Sequence, residues 1–221
     1  EDGHSHIQAS LIPNCVAYDP AFAHEVAVII RSGLQRMMHD QEDVFFYITV
    51  MNENYAHPGL KAGDEDGILR GMYKLQSSAK ASKKTHVQLM GSGTILREVM
   101  AAQELLEKDW GVTSDVWSAT SFSELRRNGL DVERHNLLHP TEPAQEAYVT
   151  QQLKGTQGPI IVSTDYMKAY GDMIRPFIPD GRHFKVLGTD GFGRSDFRSE
   201  LRKHFEIDRH FIVLAALRSL A

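Results

Sequence analysis

Six short runs rich in β-branched and aromatic residues recur along the chain, and stretches of helical spacing separate most of them. They are Asn14–Tyr18, Val44–Val50, His86–Met90, Asp115–Ala119, Pro159–Thr164 and Phe184–Gly188. Strands of this length and composition carry too little polar alternation for a sheet wetted on one face. Helices between them predict βαβ units and a mainly parallel sheet covered on both sides. The expected fold class is α/β. No apolar run is long enough to span a bilayer.

The intervening segments supply the helices. Asp19-Pro20 closes the first strand and reads as a helix start, with Asp19 as cap and Pro20 in the first turn. Phe22, Val26, Ile29, Ile30, Leu34 and Met37 then line one face of a helix over 21–38. A second helix runs over 94–109, with Ile95, Val99, Ala102 and Leu106 on a stripe and Gly111 as its stop. A short helix is expected over 121–127, followed by a long polar passage over 128–146. Helices are expected over 166–175 and 197–205, and Asp208 caps a last helix from Arg209.

Between the second and third strands, residues 59–84 read as a connection. Pro58-Gly59, the acidic-glycine run 63–67 and SSAKASKK bracket one amphipathic piece, Ile68–Leu75. The Ser/Lys/Ala stretch has little apolar surface with which to order itself. The boundary is therefore placed near Ala79–Lys84, giving one part over 1–80 and another over 81–221.

The net charge of −5 gives no electrostatic footprint for nucleic acid. Cys15 is the chain's one cysteine, which excludes an internal disulfide. Its neighbours Ile12, Val16 and Ala17 make it a buried structural thiol in a reducing compartment such as the cytoplasm.

Chemistry concentrates in the first thirteen residues, EDGHSHIQASLIP. Glu1 and Asp2 accept hydrogen bonds, Gly3 permits a tight turn, and His4 and His6 titrate nearest neutral pH. In an extended segment, residues two apart share a face, so both imidazoles would enter one cavity. The stretch reads as an active-site loop cut from a longer protein. The same residue types also make a solvated loop, and paired histidines without carboxylate or cysteine spacing are weak metal evidence. The polar loop MNENYAHPG follows the second strand, where parallel sheets bind ligands. It adds Asn52, Glu53, Asn54, Tyr55 and His57, whose alternative role is turn formation.

Other motifs are weaker. Gly91-Ser92-Gly93 lacks the third glycine of a dinucleotide fingerprint and the lysine of a P-loop, so a tight turn is expected. Asp190–Asp196, DGFGRSD, is read as a structured loop bracing an interface. His135 and His139 are four apart without HExxH, and are read as surface histidines in a loop. No GxSxG elbow supports a hydrolase.

Taken in order, EDGHSHI, IPNCVAYDP and VFFYITV with its polar loop resemble the end of the pyrimidine-binding domain in the transketolase group of thiamine-diphosphate enzymes. The strand-GSG-helix segment over 87–106 is similar to the start of their C-terminal domain. TSF-EL, NLLHP, STDYMK and LGTDGFGRSD resemble, in this order, the homodimeric pyruvate dehydrogenase family of bacterial 2-oxoacid dehydrogenase complexes. The resemblance covers essentially the whole chain and implies that several hundred preceding residues and a short C-terminal tail are missing.

It implies an oxidoreductase that decarboxylates pyruvate with thiamine diphosphate and Mg²⁺ and acetylates the lipoyl group of a dihydrolipoyl acetyltransferase partner. The cofactors would be bound mainly by segments absent from this chain, so no metal ligand is assigned. Aligned on EDG, the transketolase pattern EDGPTH places its substrate-facing aspartate and histidine on Asp2 and His6, with His4 replacing proline. The expected catalytic residues are thus Asp2, His4 and His6, with Glu1, Asn52, Asn54 and Tyr55 toward the substrate. Transketolases carry an arginine for a sugar phosphate after the next strand, where this chain reads MNENY. The alternatives are a transketolase, a 2-oxoglutarate dehydrogenase component, or a non-catalytic assembly module.

Overall fold

The structure, a computed structural model, describes residues 2–79 and 85–221. A helical turn α1 (Ser5–Ser10) leads into a two-stranded parallel sheet, β1 (Cys15–Tyr18) with β2 (Phe45–Ile48). Helix α2 (Ala23–Leu34) joins the strands and ends in a π-helical turn, Gln35–His39. Asp19 does not cap it, contrary to the sequence reading. The carboxylate of buried Glu25 accepts instead from the backbone N–H groups of Ala21 (2.6 Å) and Phe22 (3.0 Å). Tyr73 and Ser118 hydroxyls donate to its other oxygen at 2.8 and 2.6 Å, so this charge is buried with its acceptor sites filled.

The second sheet has five strands, in the order β3 (Tyr73–Ser77), β5 (Thr113–Ser118), β4 (His86–Gly91), β6 (Ile160–Ser163), β7 (Phe184–Leu187). All neighbours are parallel except β3, which pairs antiparallel with β5. Helices α4 (Leu96–Trp110) and α9 (Arg209–Leu220) pack on one face around Leu89, Val116 and Ile161. On the other face, α5 (Phe122–Leu138), α6 (Tyr148–Leu153) and α7 (Lys168–Asp172) enclose Met90, Trp117 and Val162. Consecutive residues of one strand therefore enter two different cores, which is why these strands read as unbroken apolar runs. The α/β class and mainly parallel sheet follow as expected.

Three local expectations are corrected. The connection over 59–84 contains α3 (Asp64–Arg70) and then β3. Met72, Tyr73 and Leu75 are buried, and that burial orders the segment. The chain thus joins the second sheet ahead of the boundary placed at 79–84, most of which lies outside the described residues. The short helix at 121–127 continues to Leu138, so the passage from 128 is helical for eleven more residues. Asn128 and Gly129 argue locally against this, but Gly129 lies where a Cβ would come within 2.4 Å of the Phe177 ring. The missing side chain is the packing requirement. Finally, α6 was not anticipated.

The caps at Gly111 (φ +63°) and Asp208 are found. Asp208 accepts from the N–H groups of His210 (2.9 Å) and Phe211 (3.1 Å). The carboxyl end of β1 meets the segments that leave β4 and β5. Asp19 N–H donates to Thr120 O (2.8 Å), Gly93 N–H donates to Asp19 O (3.0 Å), and Tyr18 Oη donates to Leu69 O (2.8 Å). The carboxyl ends of β2, β6 and β7 consequently open into a common space.

Candidate active site between the two sheets

That space is a cavity of about 600 Å³. Asp2, Gly3 and His4 form one wall, and Thr49, Val50 and Met51 continue it beyond β2. Asp165–Met167 after β6, Thr189 after β7 and Gly191–Arg194 also line the cavity. Arg198 and Arg202 enter from α8 (Arg198–His204).

The EDGHSH stretch is not extended. Oδ1 of Asp2 accepts from the N–H groups of His4 (3.2 Å) and Ser5 (3.0 Å), and its other oxygen accepts from the Ser5 hydroxyl. This turns the chain into α1. Burial pushes the Asp2 pKa up, but the Ser5 and His4 hydrogen bonds outweigh it and leave it below the usual range. Met167 N–H donates to Gly3 O (2.8 Å), tying the loop to the second sheet. His4 is the N-cap and His6 lies in the first turn of α1, so they lack the shared face of an extended segment and diverge.

His4 is exposed on the cavity wall, whereas His6 has no exposed surface and does not line the cavity. Its Nε2 lies 2.8 Å from Thr49 Oγ1. Its ring stacks on Tyr170 (4.8 Å) and meets the edges of Tyr166 (4.7 Å) and Tyr47 (5.3 Å). Burial lowers its pKa to about 4 despite the charge of Asp2, so the ring is neutral near pH 7. The expectation of two imidazoles in one cavity is corrected: helix formation separates them. Glu1 lies outside the described residues.

The loop after β2 divides similarly. Asn52 accepts a hydrogen bond from Arg198 at the cavity. Glu53 is clamped by Arg97 (2.6 Å) and Arg202 (2.5 Å), and Arg202 also reaches Glu98 (3.4 Å). Tyr55 donates to Ala21 O and lies under the Arg97 guanidinium, 4.6 Å from ring centre. His57 Nδ1 accepts from Ala23 N–H (3.1 Å). Asn52, Asn54 and Tyr55 are not among the residues that line the cavity; Asn52 reaches it through Arg198.

Sequence reasoning missed Thr49, Asp165 and the three arginines. Burial raises the Asp165 pKa, and the Arg202 charge only partly opposes this. The signal for Arg194 was present in DGFGRSD, whose Gly191, Phe192, Gly193 and Arg194 line the cavity. Arg198 and Arg202, four apart, share one face of a helix. His135 and His139 lie at the end of α5 with rings stacked at 4.1 Å, so their spacing is helical, not that of a loop. Among the described residues, no group of three or more His, Cys, Asp or Glu side chains could hold a metal ion. No helix among them is long and apolar enough to cross a membrane.

Comparison with known proteins adds to this geometry. Residues 1–58 match the pyruvate dehydrogenase E1 component middle domain, and residues 71–208 match the transketolase-like TK C-terminal domain. The chain is 57% identical to the pyruvate dehydrogenase E1 component of Cupriavidus necator and 53% identical to that of Escherichia coli strain K12. Both matches cover 100% of this chain and 24% of the relative, so it spans about a quarter of their length. Among solved structures, the transketolase of Campylobacter jejuni superposes with a TM-score of 0.66 at 16% identity, over 99% of this chain and 28% of that one. The Leishmania mexicana transketolase gives 0.61 at 13% identity, over 100% and 27%. These two likenesses show a shared fold.

Proposed function

The chain belongs to the transketolase-like C-terminal domain family, preceded by the end of a pyruvate dehydrogenase E1 middle domain, and from this we propose that it is part of a thiamine-diphosphate-dependent pyruvate dehydrogenase E1 component. The reaction is decarboxylation of pyruvate and transfer of the acetyl unit to the lipoyl group of a dihydrolipoyl acetyltransferase, with reduction of its disulfide. The whole enzyme is a cytoplasmic homodimer in this reading. In this reading Mg²⁺ and the cofactor diphosphate are bound mainly by segments outside this chain.

The observation that carries the proposal is that His4 and Asp2 line one cavity together with Arg194 and Arg198. His4 donates to the substrate carboxylate or to the oxygen on which charge develops. Asp2 holds His4 in place through its three hydrogen bonds to the loop. The guanidinium groups favour a small anionic substrate over a neutral one. Asn52 orients Arg198.

The test uses the intact parent enzyme with thiamine diphosphate and Mg²⁺, following an artificial electron acceptor with pyruvate, 2-oxoglutarate and a ketose phosphate in turn. Turnover with pyruvate, falling about tenfold or more in His4→Ala (about 1.4 kcal/mol of barrier), is expected. Preference for either other substrate overturns the proposal.

A further inference from the structure

Asp19 follows the last residue of β1, is buried (3% exposed), and takes no part in the chemistry assigned above. Its Oδ1 accepts from Thr49 Oγ1 at 2.8 Å, while Oδ2 has no hydrogen-bond partner. Gly93 packs directly on that carboxyl, so close that a Cβ there would stand 2.7 Å from Oδ2. Thr49 is part of the cavity wall, and the same hydroxyl lies 2.8 Å from His6 Nε2 and 3.4 Å from Tyr18 O.

A hydroxyl has one hydrogen and two acceptor sites. His6 Nδ1 is buried without a partner. A bare acceptor nitrogen there is less costly than an orphaned N–H, so Nε2 carries the hydrogen and donates to Thr49. The Thr49 hydrogen can then go to Asp19 Oδ1 or Tyr18 O, with the Tyr166 hydroxyl beside them. When Asp19 is ionised, the hydrogen points to its carboxylate. When Asp19 is protonated on Oδ1, that oxygen becomes a donor. Oδ1 then donates to Thr49, and the Thr49 hydrogen turns to Tyr18 O.

We propose that Asp19 is a titrating positioning residue of the site, whose charge state sets the direction of the Thr49 hydroxyl and so the polarity of the cavity wall beside the His4 loop. This rests on the reading of that cavity as the active site. The surroundings suit such a group. Glu25 of α2 and Asp165 after β6 add negative charge, and Tyr166 and Tyr170 face the same pocket with neutral hydroxyls. Burial, with those two carboxylates, raises the Asp19 pKa to about 7, which the Thr49 hydroxyl and the nearby Ser92 hydroxyl only partly oppose.

Two measurements on the full-length enzyme test this. The first is the melting temperature of wild type and Asp19→Asn between pH 5.5 and 8.5, which needs no substrate. Wild type is expected to lose stability relative to Asp19→Asn as pH rises through neutrality. A difference that is constant with pH overturns the proposal. The second is kcat/KM for pyruvate over the same range. Wild type and Thr49→Ser should show a step of threefold or more near neutral pH, and Thr49→Val should not. A step that survives in Thr49→Val overturns the proposal even where Asp19→Asn fails to fold. The same step with another oxo substrate, and no turnover of pyruvate, sinks the pyruvate reading and supports the role of Asp19.

Discussion

The carboxylate of Glu53 sits 2.5 Å from the guanidinium of Arg202, joining the loop that leaves the first sheet to the helix beside the second. Both side chains are largely buried, and Arg97, Glu98 and Arg209 extend the pair into a network. Burial raises the Glu53 pKa, but the Arg202 and Arg97 contacts outweigh it and hold it below the ordinary 4.5. The stabilisation is therefore fully present above that value and is lost as pH falls through the lowered pKa. Glu53→Gln should cost about 1–3 kcal/mol at pH 7. The difference from wild type should shrink below pH 4.5, and denaturant unfolding across pH checks both.

The two histidines should separate by phenotype. His4 is exposed and packs little, so His4→Ala should change stability by no more than about 0.5 kcal/mol while lowering turnover. His6 fills a cage of three tyrosines, and His6→Ala should destabilise by about 2–5 kcal/mol. Thermal melts and turnover measured together read this. Equal stability of the two variants would refute the assignment.

Gly129 should resist substitution. Ala is the better helix former by about 1 kcal/mol. Its methyl group, however, would enter the Phe177 ring, with three ring carbons within 2.5 Å. Overpacking should win, and Gly129→Ala should lower stability by about 1–3 kcal/mol. Gly129→Ala with Phe177→Leu should recover part of the loss in a double-mutant cycle.

Cys15 should be unreactive in the folded protein. It is 2% exposed within β1, and burial pushes its thiol pKa up. A disulfide reagent should modify it at least about tenfold more slowly than free cysteine. Full reactivity should return in denaturant.

Much of the fold was legible because strands buried on both faces leave unbroken apolar runs, and because caps such as Asp208 and Gly111 act within a few residues. What escaped was decided by distant packing. α5 continues through Asn128 and Gly129 because a phenylalanine from residue 177 needs the space. β3 forms because Met72, Tyr73 and Leu75 complete cores built by other elements. The candidate site was legible in type: EDGHSH and DGFGRSD stood out, and both reach the cavity. Its arrangement was not.

The sequence by itself determined the α/β class, the positions of six strands, the buried thiol and the histidine-bearing stretch. These depend on residue type and short-range spacing. Only the tertiary structure decided that His4 faces the cavity while His6 is buried. It also decided that Arg198 and Arg202 meet the loop after β2, and that Asp19 shares the Thr49 hydroxyl with His6. Those partners lie tens of residues apart or more, and side-chain direction across such distances is set by helix phase and sheet docking, which no local pattern encodes.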